Sequence, residues 1–254
     1  RVKHVLGDII AIEDNQAVLL TYFRNNILHA FVLPSLIAAL VKHNGSIRRG
    51  DLISVIRTLY PFLKAELFLK WQDDELKDQI CAYVDALINA KLIAADAEDH
   101  LISPAPNSED HNQLVVLAAP VMQSLERYYM TLALITQRGS GNISIRQVEE
   151  LSHLVGQRLS VLYEFNSPEF FDKALFQSFM KVLTQQGYIR NNEDNAIVFD
   201  ENFQNVAQYA NLVLDDVTLQ MLQHITTFSD NELKEALDAV AAQQAKRRLK
   251  RKKK

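Results

Sequence analysis

Apolar residues recur every three or four positions in two long stretches of this chain, at Leu52, Val55, Ile56, Leu59 and Leu63, and again at Val148, Leu151, Leu154, Val155 and Leu159. That spacing puts one apolar face on a helix. Ahead of each stretch lies a more continuous apolar run, Ile27 to Lys42 in the first case and Pro120 to Gln137 in the second, each closed by a glycine turn. Both runs predict buried helices. A third helix is expected to begin near Asp73 in one half and at Ser167-Pro168-Glu169 in the other, where Ser suits the cap and Pro the first turn. Short apolar pairs then flank Asx-rich turns: Leu92-Ile93 with Leu101-Ile102 around Asp96 to Asp99, and Tyr188-Ile189 with Ile197-Val198-Phe199 around Asn191 to Asn195. Such turns reverse the chain into hairpins.

The two halves superimpose without a gap when residue n is set over residue n+96. Leu36 meets Leu132, Gly45 meets Gly141, Ile47 meets Ile143, Leu63 meets Leu159, Leu87 meets Leu183 and Ile93 meets Ile189. The same order of elements in both halves marks an internal repeat. Ser144 and Gln147 stand at capping-box spacing, which lets two helix-end amides be satisfied reciprocally. Leu6 to Ile12, followed by Glu13-Asp14-Asn15 and Val18-Leu19, reads as one more hairpin, left over from an upstream domain. The expected fold is mainly α with small β-hairpins, arranged as tandem winged-helix-like helical repeats. The expected organisation is a remnant hairpin over 1–20, a first repeat over 21–104, a second over 115–200, a helical segment over 201–245 and a basic tail over 246–254.

Composition narrows the class of protein. The 254 residues are 48% hydrophobic and 23% charged, a globular balance that excludes wholesale disorder. The 7 Gly and 6 Pro, none of them beyond Gly187, argue against an all-β design dense in turns. A lone Cys81 cannot form an internal disulfide, which fits a reducing compartment. The chain starts at Arg1 with no charged-then-apolar leader, so it reads as a fragment.

Charge is unevenly placed. Lys246, Arg247, Arg248, Lys250, Arg251, Lys252, Lys253 and Lys254 are eight cations in nine residues, and removing them from the net charge of −4 leaves −12 over the other 245. At about 1 kcal/mol per cation, such a run can hold a chain end at an anionic membrane surface. The acidic body disfavours a nucleic-acid partner, because phosphate-binding folds spread Lys and Arg over a face. The longest uncharged stretch, Asn25 to Val41, holds Asn25, Asn26, His29 and Pro34 and is short for a span of about 20 apolar residues, so it reads as a buried helix.

No chemistry-bearing constellation stands out. The sequence has no His-Glu-x-x-His, no Gly-x-Ser-x-Gly and no Gly-rich phosphate loop, so no metal site or cofactor is expected. Asp73-Asp74-Glu75 suits a helix start and Glu98-Asp99 a hairpin tip. Tyr128-Tyr129 and Phe170-Phe171 read as core and interface, and Cys81 as packing.

Several segments carry a resemblance. In chain order they are Tyr22-Phe23-Arg24-Asn25-Asn26-Ile27-Leu28-His29, Leu59-Tyr60-Pro61-Phe62-Leu63 with Glu66-Leu67-Phe68-Leu69, Glu126-Arg127-Tyr128-Tyr129, Gln157-Arg158-Leu159-Ser160 and Asn166-Ser167-Pro168-Glu169-Phe170-Phe171-Asp172. Over about residues 4–228 the chain resembles the region that follows the catalytic part of membrane-associated bacterial glycerol-3-phosphate acyltransferases. The resemblance implies transfer of an acyl group from acyl-CoA or acyl carrier protein to the sn-1 hydroxyl of glycerol 3-phosphate, at the cytoplasmic face of the inner membrane. In that family a His-x-x-x-x-Asp pair acts on the hydroxyl, His as general base and Asp as its orienting partner.

That pair is absent here. Five positions beyond the seven His residues stand Ile9, Pro34, Arg48, Ala105, Val116, Arg158 and Ser229. The chain therefore reads as the C-terminal accessory region of the enzyme, inactive alone, with no catalytic residue of its own. Its expected partners are the upstream catalytic domain, through which it meets the acyl donor and glycerol 3-phosphate, and an anionic membrane surface. Tyr22, Arg24, Asn25, Asn26 and His29 are the expected docking residues. The rival reading is a tandem winged-helix module that binds nucleic acid or protein. A DNA reader would place cations on the helix before each hairpin, yet only Lys77 lies between Asp74 and Asn89, and Lys173 and Lys181 between Pro168 and Gln186.

Overall fold

The computed structural model describes residues 2–4, 7–9, 14–163 and 172–228. Eight α-helices and seven short strands follow in the order β1 (Val2–His4), β2 (Gly7–Ile9), α1 (Asp14–Asn44), β3 (Ser46–Arg48), α2 (Arg49–Leu67), α3 (Asp73–Asn89), β4 (Ala94–Ala95), β5 (His100–Ile102), α4 (Glu109–Arg138), α5 (Ile145–Tyr163), α6 (Lys173–Gln185), β6 (Ile189–Asn191), β7 (Ile197–Phe199), α7 (Glu201–Tyr209) and α8 (Asp216–Thr226). A 3-10 turn, Ala210–Leu212, joins the last two helices. The described fold is mainly helical, with small antiparallel strands.

Burial repeats with the sequence register. Leu36 and Leu132, Ile47 and Ile143, Leu63 and Leu159, Leu87 and Leu183, and Ile93 and Ile189 are all buried. Gly45 and Gly141 both take left-handed backbone, with φ of 68° and 86°, which a residue with a Cβ adopts only under strain. Each half runs helix, extended segment, helix, helix, hairpin. In the first half β3 joins the hairpin in the order β3-β5-β4, all antiparallel. In the second, Ser144 bridges Ala196 beside β6 and β7.

Local chemistry accounts for the helix boundaries. Ser144 Oγ accepts from the Gln147 amide at 3.3 Å while Gln147 Oε1 accepts from the Ser144 amide at 2.9 Å, the reciprocal cap expected of that spacing. Ser144→Ala is expected to cost about 1 kcal/mol in urea unfolding. Asp172 and Asp215 cap α6 and α8 through the Ala174 and Thr218 amides. The acidic triplet Asp73-Asp74-Glu75 forms the first turn of α3, where anions meet the positive end of the helix. At the first hairpin tip, Asp96 Oδ1 accepts from the amides of Glu98 and His100.

Three sequence expectations change, and a fourth falls outside the described residues. Val18-Leu19 do not form a strand, because α1 runs unbroken from Asp14, and the N-terminal hairpin is instead Val2–His4 with Gly7–Ile9. Val18-Leu19-Leu20 lead into the helical spacing of Phe23, Ile27 and Phe31, so the helix extends back through them. The helix expected from Pro120 starts at Glu109, capped by Ser108 Oγ on the His111 amide at 3.1 Å, with Pro120 in its interior. The first hairpin pairs Ala94 with Ile102 and Ala95 with Leu101, two positions later than Leu92-Ile93. Ile93 is core, immediately before the strand. The helix start expected at Ser167-Pro168-Glu169, and the pair Phe170-Phe171, lie outside the described residues; α6 is described from Lys173.

The core sits where α1 crosses α4, the most extensive helix packing among the described residues. Asn26–Asn44 is long and apolar enough to cross a membrane by length and composition, and 56% of that window is buried inside the protein. Leu36, Ile37, Ala38, Leu40 and Val41 are fully buried. This half of α1 packs as a core helix.

Candidate functional site

The segments that carry the family resemblance are distant in sequence, yet the fold brings three of them into contact in pairs: the one ending at Leu69 meets both the one ending at His29 and the one from Glu126 to Tyr129. Glu66, near the end of α2, receives hydrogen bonds from Ser124 Oγ (2.8 Å) and Tyr128 Oη (2.6 Å) and forms an ion pair with Arg127. The Arg127 and Glu66 side chains are only 4% and 9% exposed, so a charge pair is held in the interior with its carboxylate multiply bonded. That satisfaction is what makes buried charge tolerable. Burial, then the negative charge and hydrogen bond of Glu66, push the Tyr128 phenol well above its ordinary pKa, so it stays a neutral donor.

Beside this pair lies an aromatic cluster. The Tyr128 and Phe179 rings stack with centroids 4.5 Å apart and planes 5° from parallel, and Phe62 packs on Phe179 at 5.0 Å. Phe62 belongs to α2, Tyr128 to α4 and Phe179 to α6, so the cluster ties the two halves of the chain together. Tyr128-Tyr129 are thus core, as their apolar context implied.

On the outside of the same region is a cleft of about 260 Å³ lined by His29, Leu33, Tyr60, Phe68, Trp71 and Tyr83, among others. It joins the segment ending at His29 to the one running from Leu59 to Leu69. The loop between α2 and α3 shapes it: Trp71 N–H donates to Tyr60 Oη at 3.1 Å, Lys64 Nζ donates to the Trp71 carbonyl at 2.8 Å, and Lys70 Nζ stands 4.0 Å above the Trp71 ring. Phe68 turns the chain with φ 53° and is 90% exposed, a strained and solvated place for a large apolar residue. Burial of the Tyr60 phenol raises its pKa, although the hydrogen bond from the Trp71 amide opposes the shift.

Of the expected docking residues, Asn26 and His29 are exposed on α1, and His29 lines the cleft. Tyr22, Arg24 and Asn25 fall on the same helix, with side chains outside the described residues. The basic run from Lys246 to Lys254 also lies outside them. Sequence reasoning missed an apolar stripe on α1, formed by Leu20, Phe23, Ile27 and Phe31, which are between 44% and 56% exposed. Its 3-4-4 spacing was legible, but such spacing ordinarily signals core. Among the described residues no three His, Cys, Asp or Glu side chains gather as metal ligands. Cys81 is half-buried within α3.

A second cluster gathers where the C-terminal end of α1 meets α4 and α8. His43 Nε2 lies 3.1 Å from the Asn211 carbonyl, and Asn44 Nδ2 donates to the Leu212 carbonyl at 2.8 Å. Burial works against the Asp215 carboxylate, but hydrogen bonds from Thr218 and the charges of Lys42 and His43 prevail and hold its pKa below the usual range. Glu126 is affected the other way: burial first, then the charge of Asp215, push it up to about 7, with Arg127 opposing.

Comparison with known proteins places the chain in a family. Residues 1–192 match the family model described as glycerol-3-phosphate acyltransferase C-terminal region. The glycerol-3-phosphate acyltransferase of Pseudomonas paraeruginosa is 39% identical over 208 residues, covering 82% of this chain and 25% of that protein. That of Ectopseudomonas mendocina is 39% identical over 191 residues (75% and 23%), and that of Pseudomonas fluorescens 36% over 205 (81% and 24%). The chain thus spans about a quarter of the length of the curated relatives it matches. No solved structure matches. With the family model covering residues 1–192 of 254, the chain belongs to the glycerol-3-phosphate acyltransferase C-terminal region family.

Proposed function

We propose that this chain is the scaffolding region of a longer enzyme that moves an acyl group from acyl-CoA or acyl carrier protein to the sn-1 hydroxyl of glycerol 3-phosphate, in phospholipid synthesis. The supporting observation is that family-like segments form either a sealed core, through Glu66, Arg127 and Tyr128, or an aromatic surface cleft, through His29, Tyr60 and Phe68. A buried, internally bonded pair is closed to substrate, whereas a surface cleft suits packing against a neighbour. The general base and its carboxylate belong to the part of the enzyme outside this chain. Tyr22, Arg24, Asn25, Asn26 and His29 dock against that part. The basic run 246–254 meets the anionic cytoplasmic face of the inner membrane.

In fold, we take the two halves as winged-helix-like units. Support comes from the helix-strand-helix-helix-hairpin order and the β3-β5-β4 strand order of the first. Their role here is protein scaffolding. The purified chain, given radiolabelled glycerol 3-phosphate and palmitoyl-CoA, is expected to form no lysophosphatidate, while the full-length enzyme forms it and loses that activity when this region is deleted. Product from the chain alone defeats the proposal, as does full activity after deletion.

A further inference from the structure

Helix α1 changes surroundings halfway along without changing character. From Val32 to Val41 it is core, and between Leu20 and Phe31 the helix keeps a row of large apolar side chains that stay about half exposed. Leu20, Phe23, Ile27 and Phe31 are 53%, 56%, 56% and 44% exposed, at intervals of three, four and four residues that place them on one face. The row is about 16 Å long at 1.5 Å per residue. Scattered apolar residues on a surface need no explanation, but an aligned row on one helix marks an interface.

We infer that this face of α1 is an internal seam of the longer enzyme, covered by the polypeptide that precedes the region in sequence. The inference rests on the scaffolding role proposed above and names the surface that serves it. Two observations select the occupant. First, the relatives extend to about four times the aligned length, and the matched family is their C-terminal region, so the bulk of such a protein lies on the N-terminal side, where α1 is the first long element. A tethered neighbour needs only a modest patch, because its effective concentration is high. Second, the helix is poorly made for a lipid surface. Interfacial helices carry Lys and Arg on the polar side, whereas from Asp14 to Phe31 the only Lys or Arg is Arg24. The neighbouring Thr21, Tyr22, Asn25 and Asn26 are neutral hydrogen-bonding residues, of the kind that rims a protein interface.

The test places a photo-crosslinking amino acid at Ile27 of the full-length enzyme and, as a control, at exposed Val116 on α4. Crosslinks from position 27 to peptides upstream of this region, absent from position 116, are expected. Crosslinks only to lipid, only to a second copy, or to no upstream peptide overturn the inference. A second measurement guards against misfolding: Phe23→Ser with Ile27→Ser is expected to leave the thermal midpoint of the isolated chain within a few degrees, and to raise the rate of protease cleavage between the two parts of the full-length enzyme at least severalfold. Unchanged cleavage counts against the seam. Binding of the isolated chain to vesicles of phosphatidylethanolamine and phosphatidylglycerol, abolished by the same double substitution, assigns the face to membrane and also overturns it. The activity loss on deleting this region is read separately, so the scaffolding role can stand while the seam falls.

Discussion

Arg127→Ala is expected to destabilise the chain by about 3–5 kcal/mol, the usual cost of stripping one partner from a buried ion pair. The substitution leaves the Glu66 carboxylate 9% exposed, with hydrogen bonds from Ser124 and Tyr128 but no cation. For a chain of this size the thermal midpoint should fall by roughly 10 °C. Removing both charges together, as Glu66→Gln with Arg127→Met, should recover part of the loss, since no charge is left buried and the Gln carbonyl still accepts a hydrogen bond in place of the carboxylate. Urea unfolding of the three proteins checks this. If Arg127→Ala loses less than about 1 kcal/mol, the pair is not the strut that the geometry describes.

The second large effect concerns pH. Glu126 binds a proton up to about pH 7 in the folded chain, against its ordinary 4.5 when unfolded. Between those values the folded state holds more protons than the unfolded one. Stability therefore falls as pH rises through the window and reaches a loss of ~3 kcal/mol above it. Glu126→Gln should flatten the dependence between pH 5 and 7 and leave the variant more stable than the parent at pH 8, with little difference at pH 4. Asp215→Asn should pull the midpoint of the effect down, because the charge of Asp215 contributes to the shift. The Asp215 cap on α8 is weakened by the same change, so the midpoint and the overall stability must be read separately. Chemical denaturation at pH 4, 5, 6, 7 and 8 measures both, and an unaltered slope in Glu126→Gln refutes the assignment.

Helix faces, turns and caps were legible because helical periodicity and glycine turns are local signals: Gly45 and Gly141, Leu63 and Leu159, and the Ser144 cap all behave as their spacing implies. Boundaries were harder. Pro120 resembles a helix start, but the Ser108 cap lies three turns earlier, and an interior proline is tolerated when the flanking turns are packed. The Glu66–Arg127 pair was not legible as a pair, since 61 residues separate the partners and no periodic pattern links them. The stripe on α1 was readable as spacing, but its exposure depends on where the remaining helices stop, which only the assembled fold reveals.

The stacking of Tyr128 on Phe179, with Phe62 against both, carries one more implication. Neither half can be separated from the other without opening half of an aromatic joint to water. Calorimetry of the intact chain should accordingly show one endotherm instead of two, with neither half melting ahead of its twin.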